Sequence, residues 1–150
     1  MQNKSFNILI NAPRKKVWQI LWGEDTYPKW TGAFMEGSRV EDVSGDILWK
    51  KGNKIRFLGP GNEGMISLIN ENVPEEFMSF KHLGVVVNGK DDVESEQAKE
   101  WKGSMENYSL KAIGGKTELT VNIDISPSFV EYFVSAWPNA LQRIKELSEQ

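Results

Sequence analysis

The sequence predicts an α+β fold in which an antiparallel sheet of about six to seven strands curls around a long C-terminal helix, with two short helices after the first strand. Three observations predict it. From residue 35 to residue 125 the chain reads as strand-like runs separated by turn signals. Beyond Pro127 the apolar residues recur at three- and four-residue steps instead. Ahead of the strand-rich region lie two short helical stretches, each stopped by a glycine.

The first strand rests on Phe6, Ile8 and Ile10, which alternate with Ser5, Asn7, Leu9 and Asn11, roughly the period of a half-buried strand. A helix comes next, with Pro13 near its first position, apolar Val17, Trp18, Ile20 and Leu21, and Gly23 as its stop. Asp25 then offers an N-cap for a helical turn that Gly32 ends. Strands are expected over 38–43, 54–58, 65–73, 77–87, 101–112 and 117–125. Their turn signals are Gly45, Gly52-Asn53, the glycines from Gly59 to Gly64, Pro74-Glu75, Asn88-Gly89 and Gly114-Gly115. In the last strand Leu119, Val121, Ile123 and Ile125 share one face and Glu118, Thr120, Asn122 and Asp124 the other. The closing helix carries Phe129, Phe133, Ala136, Trp137, Ala140, Leu141, Ile144 and Leu147 on one stripe. Pro138 lacks an N–H, so a kink or a helix start is expected there. Residues 90–100, with few apolar anchors, are expected to be mobile.

With 150 residues, 39% hydrophobic and 26% charged, the chain fits one domain spanning residues 1–150. A net charge of −3 and no basic run longer than Arg14-Lys15-Lys16 argue against nucleic acid. The N-terminus is too poor in apolar residues for a signal peptide, and no run of about 20 apolar residues could span a membrane. A cytoplasmic protein is expected. The absence of cysteine removes disulfides, thiolate zinc sites and cysteine nucleophiles, and His82 is the only histidine. Asp91, Asp92, Glu94 and Glu96 lack EF-hand spacing and read as a solvated loop. No metal or cofactor is expected.

The stretch “FLGPGNEGM” (57–65) contains G-x-G-x-x-G. A dinucleotide site would need a helix to leave these glycines, because helix N-terminal N–H groups hold the pyrophosphate. The residues after Gly64 are instead rich in β-branched side chains and closed by Pro74, so the stretch reads as a hairpin turn.

Six Trp, seven Phe and three Tyr are many for such a chain, and they must fill either a core or the wall of an apolar pocket. A curved sheet against one helix leaves a gap suited to a ligand. Trp30 and Phe34 after the short helices, and Phe133, Trp137 and Leu141 on the closing helix, are candidates for its wall. Phe57 and Met65 flank the glycine stretch, while Phe80 and Tyr108 share strand faces with the two polar candidates, His82 and Glu106. His82 is either a ligand contact or base, or a histidine satisfied by its neighbours. If Tyr108, Leu110 and Ala112 face inward, so does Glu106, which then needs a donor from Arg56, His82 or Tyr108. It would orient a ligand, move a proton, or form a structural pair. Ser38 and Ser104 stand in no nucleophile motif.

The order strand, two short helices, six strands and long helix resembles the helix-grip fold of the START/Bet v-like (SRPBCC) superfamily. The stretches “APRKKVWQILWGEDTYPKWT”, “FLGPGNEGM”, “MSFKHLG”, “WKGSMENYSL”, “GGKTELTVNIDI” and “YFVSAWPNALQRIKELSE” are similar to its bacterial heat-shock ATPase activator homologue (AHSA-type) branch. The resemblance implies a deep hydrophobic cavity and a ligand that is lipid-, polyketide- or otherwise aromatic-like, with the glycine hairpin at the cavity rim. It also implies two alternatives: a cyclase or aromatase using His82 or Glu106 as acid or base, and a chaperone-associated interaction module. No catalytic signature of the family maps onto residues of this chain.

Overall fold

The apolar alternation of residues 119–125 is realised as a buried face of β8 (Lys116–Ile125). That strand pairs antiparallel with β1 (Gln2–Ile10), from Gln2↔Ile125 to Ile10↔Thr117. The structure, a computed structural model, describes residues 1–45 and 48–150. Between β1 and β8 the chain forms α1 (Arg14–Trp22), α2 (Tyr27–Thr31), β2 (Arg39–Asp42), β3 (Lys54–Leu58), β4 (Gly64–Val73), β5 (Phe77–Val87), β6 (Lys90–Asp92), α3 (Glu96–Trp101) and β7 (Met105–Ile113). A 3₁₀ turn, Pro127–Phe129, leads into α4 (Val130–Ser148).

All strand pairings are antiparallel, and the order across the sheet is β1-β8-β7-β5-β4-β3-β2, with β6 added to β5. The short β6 takes the described sheet to eight strands, beyond the six to seven expected. α4 lies against β1, α1 and α2. Its stripe of Ala136, Trp137, Ala140, Leu141 and Ile144 is buried with the inner face of the sheet in one core. A smaller cluster of Leu58, Ile66 and Val86, with Leu83 beside it, covers the outer face.

Of the kink and the helix start expected at Pro138, the start is not found: α4 runs through the proline as one helix. The N–H that proline lacks would have met the carbonyl of Val134, and both residues are on the exposed side of the helix, where an unmet carbonyl costs least. The far end of α4 is tied to the β1–α1 junction. Lys145 Nζ donates to Leu9 O at 3.1 Å, and Glu149 Oε2 accepts from the N–H of Asn11 at 2.7 Å.

Residues 90–100 also depart from the expected loop. Asp92 Oδ1 accepts from the N–H groups of Glu94 and Ser95, and Ser95 Oγ then caps α3 by accepting from Ala98 N at 3.1 Å. Trp101 therefore ends a helix rather than opening a strand, and β7 starts at Met105. Gly84 is what lets this excursion lie close: a Cβ there would stand 2.2 Å from Asp92 O.

Candidate functional site

Between the sheet, α2, α3 and α4 lies a cavity of about 380 Å³, partly open to solvent. Trp30 and Phe34 enter it from α2 and the turn after it, Phe57 and Met65 from β3 and β4, and Phe133 and Trp137 from α4. His82 on β5 and Glu106 and Tyr108 on β7 bring polar groups, as do Arg39, Glu63, Gln97 and Asp124 elsewhere on the wall. Phe80 and Leu141, proposed from the sequence as part of the wall, are not in it. Both are buried in the core, with the Phe80 ring against Trp22, Phe57 and Tyr108. Parity along a strand and steps along a helix give the inward face but not the depth.

Several lining residues were not anticipated. Tyr27 belongs to α2, whose short helical turn carries it under the sheet beside Trp30. Trp101 closes one end, its ring against Phe129 and Phe133, and the signal for it was the Ser95 cap ahead of an otherwise helix-compatible stretch. At the mouth stand Met35, Phe129 and Tyr132, each more than a third exposed, with Arg39 beside them.

The rings of the wall meet mostly edge to face. Trp137 packs on Phe34 at a centroid distance of 4.9 Å, on Trp30 at 6.2 Å and on Tyr108 at 6.0 Å. Trp30 is fixed in turn by its Nε1–H, which donates to Leu21 O at 3.0 Å and so locks α2 to α1.

A chain of four polar side chains crosses the inner sheet face. Ser67 Oγ is 2.6 Å from His82 Nδ1, His82 Nε2 is 3.2 Å from Glu106 Oε1, and Tyr108 donates its hydroxyl to Glu106 Oε2 at 2.5 Å. One irregularity of the β4–β5 ladder sets this up: the register passes from Ile66↔Gly84 to Ser67↔His82 and leaves Leu83 unpaired. Ser67 thereby faces His82 across the strands, both pointing in. Past Lys81↔Met105 the β5–β7 ladder ends, and the His82 backbone bonds instead to Ser104 O at 2.9 Å and Gly103 N at 2.8 Å. This fixes the imidazole beside Glu106.

Arg56, the third candidate partner of Glu106, is on the outer face. Its guanidinium binds Asp91 at 2.8 Å and Glu41 at 2.9 Å, bridging β6 and β2. Ala112, which shares the parity of Glu106, is exposed because β7 has left the core by that point.

Both ring nitrogens of His82 are partnered, Nδ1 by the Ser67 hydroxyl and Nε2 by the Glu106 carboxylate, which accepts. Glu106 then holds two donors and keeps lone pairs for the cavity, toward which its side chain is 23% exposed. Burial, together with the charge of Glu106 and its hydrogen bond, pushes the Tyr108 hydroxyl well above its ordinary pKa of 10.0. Tyr27 is raised by burial and by the same carboxylate. Ser67 is fully buried and outside the cavity wall, so the row Ser67–His82–Glu106 does not present a nucleophile to a ligand. Its accessible member is the carboxylate.

The glycine stretch is the β3–β4 hairpin. Gly59 N donates to Glu63 O at 2.8 Å, Gly61 has φ of 80°, and the chain leaves Gly64 as a strand. No helix N-terminus is there to hold a pyrophosphate, and Gly59, Glu63 and Gly64 border the cavity. Among the described residues, no three His, Asp or Glu side chains come together as a metal-ligand set. No described helix is long and apolar enough to cross a membrane.

No protein-family model and no curated protein sequence matches the chain. Solved structures do. The Aha1 dimer protein from Colwellia psychrerythraea matches with a TM-score of 0.71 at 18% identity, over 99% of this chain and 97% of that one. Protein CV1439 from Chromobacterium violaceum matches with a TM-score of 0.68 at 15% identity, over 100% and 99% of the two chains. DynU16, a protein of the dynemicin biosynthetic locus, matches with a TM-score of 0.66 at 12% identity, over 97% of this chain and 46% of its own. At such identities the likeness is one of fold, and the chain has a helix-grip α+β architecture.

Proposed function

We propose that the protein binds a small apolar molecule, lipid-, polyketide- or aromatic-like, in the cavity between the sheet and α4. The observation that carries this reading is a cavity of about 380 Å³ walled by Trp30, Phe34, Phe57, Phe133 and Trp137, with Glu106 joined to His82 and Tyr108 on its sheet side. Small-molecule sites have this composition and a volume of roughly 300–1,000 Å³. The START/Bet v-like resemblance of the sequence supports it, as does the likeness of fold to DynU16, a protein of the dynemicin biosynthetic locus. The test is native mass spectrometry of protein purified from its own source, followed by extraction of whatever is bound. A stoichiometric apolar molecule is the expected result; a clean apo mass with no thermal shift across an apolar-metabolite panel would overturn the reading.

A second reading is favoured by the joined side chains of His82, Glu106 and Tyr108, which give Glu106 the neighbours of an acid–base group. In a cyclase or aromatase the cavity would fold the substrate and Glu106, positioned by His82, would move a proton. The chaperone-associated alternative rests on resemblance and likeness of fold.

A further inference from the structure

We infer that the ligand of this cavity is an apolar molecule bearing a cationic nitrogen, with Glu106 as its counter-charge and the aromatic rings around it as a cage. This rests on the proposed binding of an apolar molecule and adds its charge. Among the described residues the partners of Glu106 are Tyr108, an uncharged donor, and His82, whose Nδ1 is taken by Ser67. No described lysine or arginine side chain is bonded to the carboxylate. Of the other acids that border the cavity, Asp124 is occupied by Asn3 Nδ2 and the N–H of Met105, each at 2.9 Å, while Glu63 is exposed at the mouth. Arg39, the one arginine of the wall, is exposed and already binds Gly59 O and Asn62 Oδ1. Among the described residues the wall thus carries three carboxylates, Glu63, Glu106 and Asp124, against the one guanidinium of Arg39.

Three ligand classes meet this wall differently. A carboxylate ligand would lie against a like charge. A neutral apolar ligand would strip water from Glu106 and give nothing back, the costly way to bury a charged acceptor. An ammonium group replaces that water with an ion pair, while the faces of Trp30, Phe57 and Trp137 suit the apolar part and the cation alike. The pairing is the one used wherever aromatic cages take organic cations.

Three probes of one shape separate these cases: 2-naphthylmethylamine, 2-naphthylmethanol and 2-naphthoate, titrated by calorimetry at pH 7. The amine is expected to bind at least about tenfold tighter than the alcohol, the acid more weakly than both, and Glu106→Gln to bring amine and alcohol together. The wild-type ranking decides even if that variant fails to fold, and intermolecular nuclear Overhauser contacts between the amine's methylene and Tyr108 provide a second readout. An alcohol equal to the amine, or an acid that binds best, overturns the cationic ligand and leaves cavity binding intact. Failure of all three to bind overturns both.

Discussion

Tyr108 and Glu106, two residues apart on β7, are joined side chain to side chain, the phenol donating to the carboxylate at 2.5 Å. Residues so spaced share a strand face, so both reach the same cavity, one as part of its ring wall and the other as its charge.

That pair makes the protein sensitive to alkali. An unfolded tyrosine ionises near 10.0, whereas Tyr108 and Tyr27 hold their protons well above it. Stability from this source is complete below pH 10 and falls as the pH rises, because the unfolded state then binds fewer protons. The loss is about 1.4 kcal/mol per pH unit for each tyrosine. Urea midpoints measured from pH 8 to 11 are expected to show this decline, with a slope smaller by one proton in Tyr108→Phe. An unchanged slope in the variant would mean that Tyr108 ionises freely.

Gly84→Ala is expected to destabilise by about 1–3 kcal/mol, because its Cβ would collide with Asp92 O, a backbone atom that can yield only if β6 shifts. The damage is expected to spread along β6 and α3 and to open the Trp101 end of the cavity. Denaturant unfolding gives the magnitude, and new protease cleavage within 88–104 gives the place. A fully stable, uncleaved variant would contradict the close approach.

Ser95→Ala removes the acceptor of Ala98 N–H and is expected to cost about 1 kcal/mol. α3 has only six residues, so losing the cap should fray it before anything else unfolds. Hydrogen exchange is expected to speed up at residues 98–101 and to stay unchanged in β8.

Much of this architecture could be read along the chain, because β8 and α4 each announce themselves by period. Leu119 to Ile125 alternate, and Ala136 to Ile144 step by three and four. The polar centre was legible only in part. Glu106 and His82 could be placed on inner faces, but Ser67 joins them through a bulge, and a bulge depends on which residues pair across strands rather than on their order. The stretch from Lys90 to Trp101 misled for a different reason. Its acids look like a solvated loop, yet Asp92 uses its carboxylate to start α3. Trp101 was given the parity of a strand it does not belong to.

The pairing of Gln2 with Ile125 has a bearing on synthesis. β1 leaves the ribosome well before its neighbour β8 and the helix that covers it. Until residues 116–148 emerge, the N-terminal strand has no partner and the aromatic wall no lid. Contacts this distant along the chain make folding slow, on the order of milliseconds to seconds for sheets of high contact order. During that wait the polar residues Lys4, Ser5 and Asn7, interleaved with Phe6 and Ile8, keep the nascent strand from offering a continuous apolar edge to other chains.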